Sequence, residues 1–388
     1  MKFSTTILVQ LLTVTVTVLA QNGPKKTDKP DPDKGMTREQ AGHKIVAGGL
    51  APKLQDLKSR YTDYYEGSKR TKVRYGPYSL PKMSSPSITA LLTGEKGTMS
   101  TVSVGMTKPC TGKCNLLVAQ AGLEYANGTE ASMANGSWLH HIVVLATGPG
   151  RKDTVCPMLP GERFFSSGNE RTPTSFGDVV EKKVKSTFPI DDSDGFQAEI
   201  ELMNMTNEPR SVYLTIDYEY IPGPKPEGWK TAKAMWLDVT NCGISYVRPP
   251  SKQDFQLKSS IWTSPYGGEM LGVGGHLHDG GTHLDILIND KTICKSDAEY
   301  TTQSDGSPMS MGRRSLGRRD GPHGAGGAAP GTTDGKAHIR EMSTCSMMGK
   351  INKGDKVHIE ANYEFSKFPG MKATEIMGIA IMYAAMDV

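Results

Sequence analysis

Ser211-Val212-Tyr213-Leu214-Thr215-Ile216-Asp217-Tyr218 is the stretch that decides the fold class. Its apolar residues recur at every second position, the period of a strand with one buried face, and most of its residues are β-branched or aromatic. Runs of the same texture occur at 101–104, 116–119, 138–146, 284–288 and 357–363. Asp217, Glu219, Lys356, His358 and Glu360 occupy the alternate positions, where a solvated strand face is expected. No segment carries a sustained helical apolar stripe between caps. With 43 Gly and 24 Pro among 388 residues, turns are frequent. The expected fold is therefore all-β: two tandem antiparallel β-sandwiches of jelly-roll-like form.

Working outward, Ile221-Pro222-Gly223-Pro224-Lys225-Pro226-Glu227-Gly228 reads as a linker. It divides the chain into an N-terminal sandwich at 70–222 and a C-terminal one at 229–388. A long insertion is expected at 303–335, where Arg313-Arg314, Arg318-Arg319 and a Gly-Ala-rich run fall together. Residues 21–69 are expected to be a flexible segment, the polar stretch up to residue 42 most clearly. Residues 1–20 have the charge, apolar run and small residues of a cleaved secretory signal, with Val18 and Ala20 at the cleavage positions. No later run approaches 18 apolar residues, so no membrane span is expected. The net charge of +4 is scattered, which gives no argument for a nucleic-acid partner. The expected location is extracellular.

Secretion changes how Cys110, Cys114, Cys156, Cys242, Cys294 and Cys345 read. Six cysteines in an oxidising compartment imply up to three disulfides. Cys110 and Cys114 are close enough to bridge across one turn; the other pairings stay open. A zinc site on this C-x3-C is the weaker reading, because no second close pair accompanies it. Asn127, Asn135 and Asn204 head glycosylation sequons.

Four of the nine histidines fall in two tight groups. His276-Leu277-His278 lies between glycine pairs, and on a strand positions i and i+2 share a face. Two imidazoles on one side can seed a metal site, or be two surface histidines. His140-His141 is harder, because adjacent strand residues point to opposite faces. Both reach one metal only where the strand ends or bulges. Zinc, cupin-type iron or manganese, and copper are the metals to weigh. A cupin site lacks its carboxylate here, because Thr282, His283 and Leu284 fill that stretch. Zinc hydrolysis has Asp279 as its one sequence-near carboxylate. Copper accepts imidazole together with thioether, and the chain has 20 Met. His43, His283, His323, His338 and His358 have no partner at ligand spacing, and among them His283 follows the Gly280-Gly281 turn most closely.

The order of these elements resembles that of the copper type II, ascorbate-dependent monooxygenases, the group of the peptidylglycine α-hydroxylating and dopamine β-monooxygenases. The related secreted stress-up-regulated nodulin-like proteins are similar as well. The likeness covers roughly 85–388 without the insertion. It rests on His140-His141, followed by Ile142 where the family has Met, on His276-Leu277-His278, and on the C-terminal runs Lys353-Gly354-Asp355-Lys356-Val357-His358-Ile359-Glu360-Ala361 and Glu375-Ile376-Met377-Gly378-Ile379-Ala380-Ile381-Met382-Tyr383. It implies two mononuclear coppers, one in each half, with ascorbate or another one-electron donor as reductant. The C-terminal, oxygen-activating copper would be held by His276, His278 and Met377, with Met382 and Met386 as alternatives to the thioether. The electron-storing copper would be held by His140 and His141. The family's third histidine there is absent, and Met203, beside the Asn204 sequon, falls at its position. The family's carboxylate-gripping arginine is replaced by Gly274, and Ile379 and Ile381 follow Met377, so the expected substrate is apolar. The implied function is hydroxylation of a small or cell-wall-associated molecule by O2. A non-catalytic secreted copper-binding or stress and cell-wall protein is the alternative.

Overall fold

The computed structural model describes residues 53–86, 96–169, 171–300, 338–346, 348–368 and 375–386. The expected signal and the 303–335 insertion lie outside the described residues. Within them the strands form three sheets, of eleven, six and four strands. Each strand expected from alternation is present and longer than its core motif. The alternating stretch itself lies in Arg210–Pro222, with Val212, Leu214, Ile216 and Tyr218 all fully buried.

The eleven-stranded sheet runs through both halves. On the N-terminal side it contains Leu54–Leu57, Lys69–Leu80, Arg210–Pro222, Cys114–Glu124 and Ser186–Ile190. On the C-terminal side it continues through Lys230–Asp238, Gly378–Met386, Gly268–Leu277 and Thr344–Ser346. The join is a short parallel contact, Lys230 beside Ser186 and Thr231 beside Thr187, in an otherwise antiparallel array. The four-stranded sheet (Thr98–Met106, Gly195–Asn204, Ser137–Thr147, Glu162–Gly168) covers the first half. The six-stranded sheet, centred on Lys356–Glu364 and Gly281–Ile288, covers the second. Two sandwiches thus share one long sheet, each with its own apolar core. The run after Pro222 carries the chain from the first to the second.

Cross-links reinforce the seam. Cys156–Cys242 ties the two halves together, Cys294–Cys345 staples the second, and Cys110–Cys114 closes the expected tight loop, which removes the zinc reading of that pair. Lys233 of the second half pairs with the buried Glu162 of the first at 2.7 Å.

Three expectations need correction. The described part of segment 21–69 is not simply flexible: Leu54–Leu57 pairs with Lys69–Leu80 at the sheet edge. The reason is next door. Glu219 is fully buried rather than on a solvated face, and Arg60 and Ser59 of this segment supply the donors its carboxylate needs, at 2.8 Å each. His358, also expected outside, is 8% exposed. Finally, Asn204 does not face out. It is fully buried, its Nδ2 donates to the Glu208 carbonyl at 2.7 Å, and no glycan fits there. Asn127 and Asn135 are exposed.

Candidate metal centre

The strand Ser137–Thr147 pairs with Gly195–Asn204, and the register slips by one residue between Leu139 and His141. That bulge resolves the steric problem of two adjacent histidines. The extra residue, His140, is set out of the alternation, so both rings turn to the same side with centroids 4.0 Å apart. Across the strand from His141 stands Glu201, not Met203. Its Oε2 accepts from His140 Nδ1 at 3.2 Å, from His141 Nδ1 at 3.1 Å and from the Tyr246 hydroxyl at 2.8 Å. A carboxylate only accepts, so both imidazoles carry their proton on Nδ1 and have their lone pair on Nε2. Burial alone would raise the Glu201 pKa, but the hydrogen bonds from His140 and His141 hold it well below the ordinary carboxylate range.

The C-terminal pair comes from the strand Gly268–Leu277. His276 is its penultimate residue, and His278 follows its end. His278 Nδ1 donates to the Glu375 carbonyl at 3.2 Å, which again leaves Nε2 with the lone pair. Tyr363 fixes the local backbone. Its hydroxyl donates to the Met377 carbonyl at 2.5 Å and accepts from His278 N at 3.0 Å. The turn behind requires Gly280. Its φ is +93°, and a Cβ there would stand 2.1 Å from the Phe365 ring.

These two pairs meet. The Nε2 atoms of His141 and His276 are 2.9 Å apart, the separation of a hydrogen bond and equally that of two nitrogens about 2.0–2.1 Å from one metal. His140, His141 and His278 each offer a ligand atom, all within 4.8 Å of one another. His278 Nε2 is buried with no hydrogen-bond partner among the described residues. A buried, unsatisfied imidazole nitrogen aimed into a cluster of lone pairs is what a bound metal ion satisfies. The donor set fits a first-row transition metal, and four imidazoles with a nearby thioether suit copper well. Burial, and then the neighbouring His140, push the His141 pKa down to about 3. Burial, then His141 and His140, hold His278 well below its ordinary value. Both rings are therefore neutral and ready to ligate at physiological pH.

The two pairs lie side by side: the rings of His140 and His141 stand 5.7 and 5.5 Å from that of His278, and His276 approaches through His141. Met377 is buried with Trp236 and Ile379 and lines the same cavity as His141 and His276. Met382 and Met386 are fully buried in the second core, which accounts for them as packing. Met203 is buried opposite Trp138, two rungs from the His141–Glu201 pair. Asp279 is spent on His338, at 2.5 Å, and His338 packs edge-on against Trp138, 5.5 Å between centroids. Trp138 packs in the same way on His140. His338 thus stands beside the centre. His283, which the sequence favoured, instead contacts Thr282 and Asp285.

Sequence reasoning missed Glu201 and Tyr246 as site residues. The signal for Glu201 was present: a lone carboxylate inside the buried run Ile200-Glu201-Leu202-Met203 has to find a donor. Tyr246 arrives on a loop anchored by the Cys156–Cys242 bridge and by Asp238, which accepts from Thr240 and Ser245.

Beside the histidines, a cavity of about 620 Å3 opens between the four-stranded sheet and the Trp236 and Ile379 strands of the long sheet. Its walls include Val143, Trp236, Leu271, Met377, Ile379 and Ile381. Gly274 lies on its edge, so no arginine stands before the H-x-H pair. Its size falls in the range of small-molecule sites.

No protein-family model matches the chain. Two curated relatives do. The probable copper-dependent oxygenase M1 of Phoma sp. (strain ATCC 20986 / MF5453) is 29% identical over 318 residues, 80% of this chain and 71% of the relative. The probable copper-dependent oxygenase clz3 of Cochliobolus lunatus is 30% identical over 269 residues, 68% of this chain and 77% of the relative. Solved structures align loosely. PNGF-II has a TM-score of 0.38 and 9% identity over 84% of this chain and 68% of that one, too remote to carry an argument.

Proposed function

The chain belongs to the family of these probable copper-dependent oxygenases, and from that premise we propose that it hydroxylates an apolar small molecule with O2 at a single copper centre shared by its two halves. The observation that carries this reading is the orphaned, buried Nε2 of His278, grouped with His140 and His141 behind an apolar cavity that His141 and His276 line. His140, His141, His276 and His278 are the proposed ligands, with Met377 as the soft donor from the cavity side. Copper, when bound, supplies the one-electron redox chemistry by which O2 hydroxylates a C–H bond. Hydroxylation with release of water consumes two electrons and two protons, so a one-electron donor such as ascorbate acts twice per turnover.

The protein's own groups do the rest. Glu201 keeps the Nδ1 protons of His140 and His141 in place and so fixes both rings and their tautomers. Tyr363 holds Met377 and His278 against each other through their backbones. The isoleucines and Trp236 give the substrate an apolar wall and keep water away. The ascorbate dependence and the two-domain plan of the type II monooxygenases belong to this same proposal, as do secretion and the absence of nucleic-acid and membrane partners. Three disulfides and two exposed sequons support the secreted location.

The test is copper loading of the full secreted protein, followed by O2 uptake with ascorbate. The expected result is bound copper and copper-dependent O2 consumption that zinc does not support. Protein that takes up no copper, or that consumes no O2 when loaded, contradicts the reading.

A further inference from the structure

We propose that Glu199 selects the substrate: the cavity takes an apolar-bodied molecule that carries a hydrogen-bond donor, a protonated amine or a hydroxyl, and rejects carboxylates. This rests on the reading that the cavity is the substrate site.

The charges on the cavity wall decide which ligands it accepts. Apart from the histidines, its charged groups are Arg60, Arg163, Glu199 and Glu201. Both cations are already engaged. Arg60 Nε donates to the buried Glu219 at 2.8 Å. Arg163 forks onto Asp153 at 2.6 and 2.9 Å and lies over the Trp236 ring, 4.6 Å from its centroid. Glu201 already accepts three hydrogen bonds. Glu199 has no hydrogen bond or ion pair among the described residues, and it is exposed toward the cavity.

No donor among the described residues reaches it. On its strand it shares a face with Glu201, and its cross-strand neighbours are Val143 and Val102. Val102 is 64% exposed, so the apolar surface continues outward past the carboxylate. A ligand that brings its own donor satisfies Glu199, and the apolar walls take its body. A ligand carboxylate meets two like charges, Glu199 and Glu201, and, among the described residues of the wall, only cations that are already engaged. Glu199 lies about 7 Å along the strand from the carboxylate that orients the histidines. The donor and the oxidised carbon of a substrate are therefore separated by several bonds.

The experiment is calorimetric titration of the full chain with three probes of one skeleton: 1-naphthylmethylamine, 1-naphthylmethanol and 1-naphthoate. It is run before and after copper loading, which separates Glu199 from direct coordination of the amine by the metal. The expected order is amine tightest, alcohol next, and naphthoate at least ten-fold weaker than the amine in both forms. Glu199→Gln is expected to bring the amine-to-naphthoate ratio to within about two-fold of unity, and Glu199→Lys to reverse it. Naphthoate bound as tightly as the amine by the native protein overturns the proposal without any variant. So does a ratio that survives Glu199→Gln, or no binding of any probe. The titration needs no turnover. The expected ratios in a protein that consumes no O2 would sink the oxygenase reading and leave the selection by Glu199, whereas O2 uptake with the wrong ratios would do the opposite.

Discussion

The two histidine pairs reach the same point by different physical means. His276 and His278 are separated by one residue, so a plain strand end presents them together, and a backbone carbonyl and the Tyr363 phenol hold the second. His140 and His141 are adjacent, so they need a bulge, and an ionised carboxylate from a distant strand holds both rings at once. The first pair is built from local sequence, and the second from a long-range contact. The N-terminal pair should therefore depend on one remote residue, while the C-terminal pair should depend on its own turn.

The sharpest way to break that contrast is Glu201→Ala. It leaves two imidazole N–H groups and the Tyr246 hydroxyl without their shared acceptor. Copper affinity is expected to fall about 10–100-fold, read by competition titration. A loss under two-fold would mean that the carboxylate does not position the N-terminal pair. The counterpart on the other side is Gly280→Ala, which forces a side chain into φ +93° and against Phe365. It should cost about 2–3 kcal/mol in denaturant unfolding and disturb His278 while leaving the His140–His141 bulge in place.

Acid tests both pairs together, and the sign is definite. His141 has a folded pKa of about 3, below its unfolded value of 6.5, and His278 is lowered as well. Stability from neutral rings is complete above pH 6.5 and is lost as pH falls toward 3. At pH 5 the metal-free protein should be less stable than at pH 7.5 by about 2 kcal/mol from His141 alone, with a Tm lower by a few degrees. An unchanged Tm would place a charged, solvated ring where the buried one is described. The smallest effect is expected for Tyr246→Phe, which removes one of three donors to Glu201. It should cost about 1 kcal/mol of stability and a few-fold in copper affinity.

The same contrast explains what the sequence discloses. The sandwich strands were legible because alternation in 211–218 reports burial directly, and the H-x-H pair was legible because the strand period alone places both rings. The bulge at His140 depends on pairing between residues about sixty positions apart, which no local pattern encodes. Glu201 was visible as a carboxylate in an apolar strand, yet its partners became evident only once the strands were aligned. Glu219 and Asn204 misled for a related reason. Alternation says which positions share a face, but not that segment 53–68 or the Glu208 turn covers that face. His338 comes after residues 301–337, which lie outside the described residues, and its place beside Trp138 had no sequence signal at all.

Copper stoichiometry tests the central claim most directly, namely that both pairs hold one ion. The fully loaded native protein should bind one copper per chain, and His140→Ala and His278→Ala should each lose it to the same low occupancy. Two coppers per chain, with each variant losing one and keeping the other, would contradict a shared centre and restore one metal to each half.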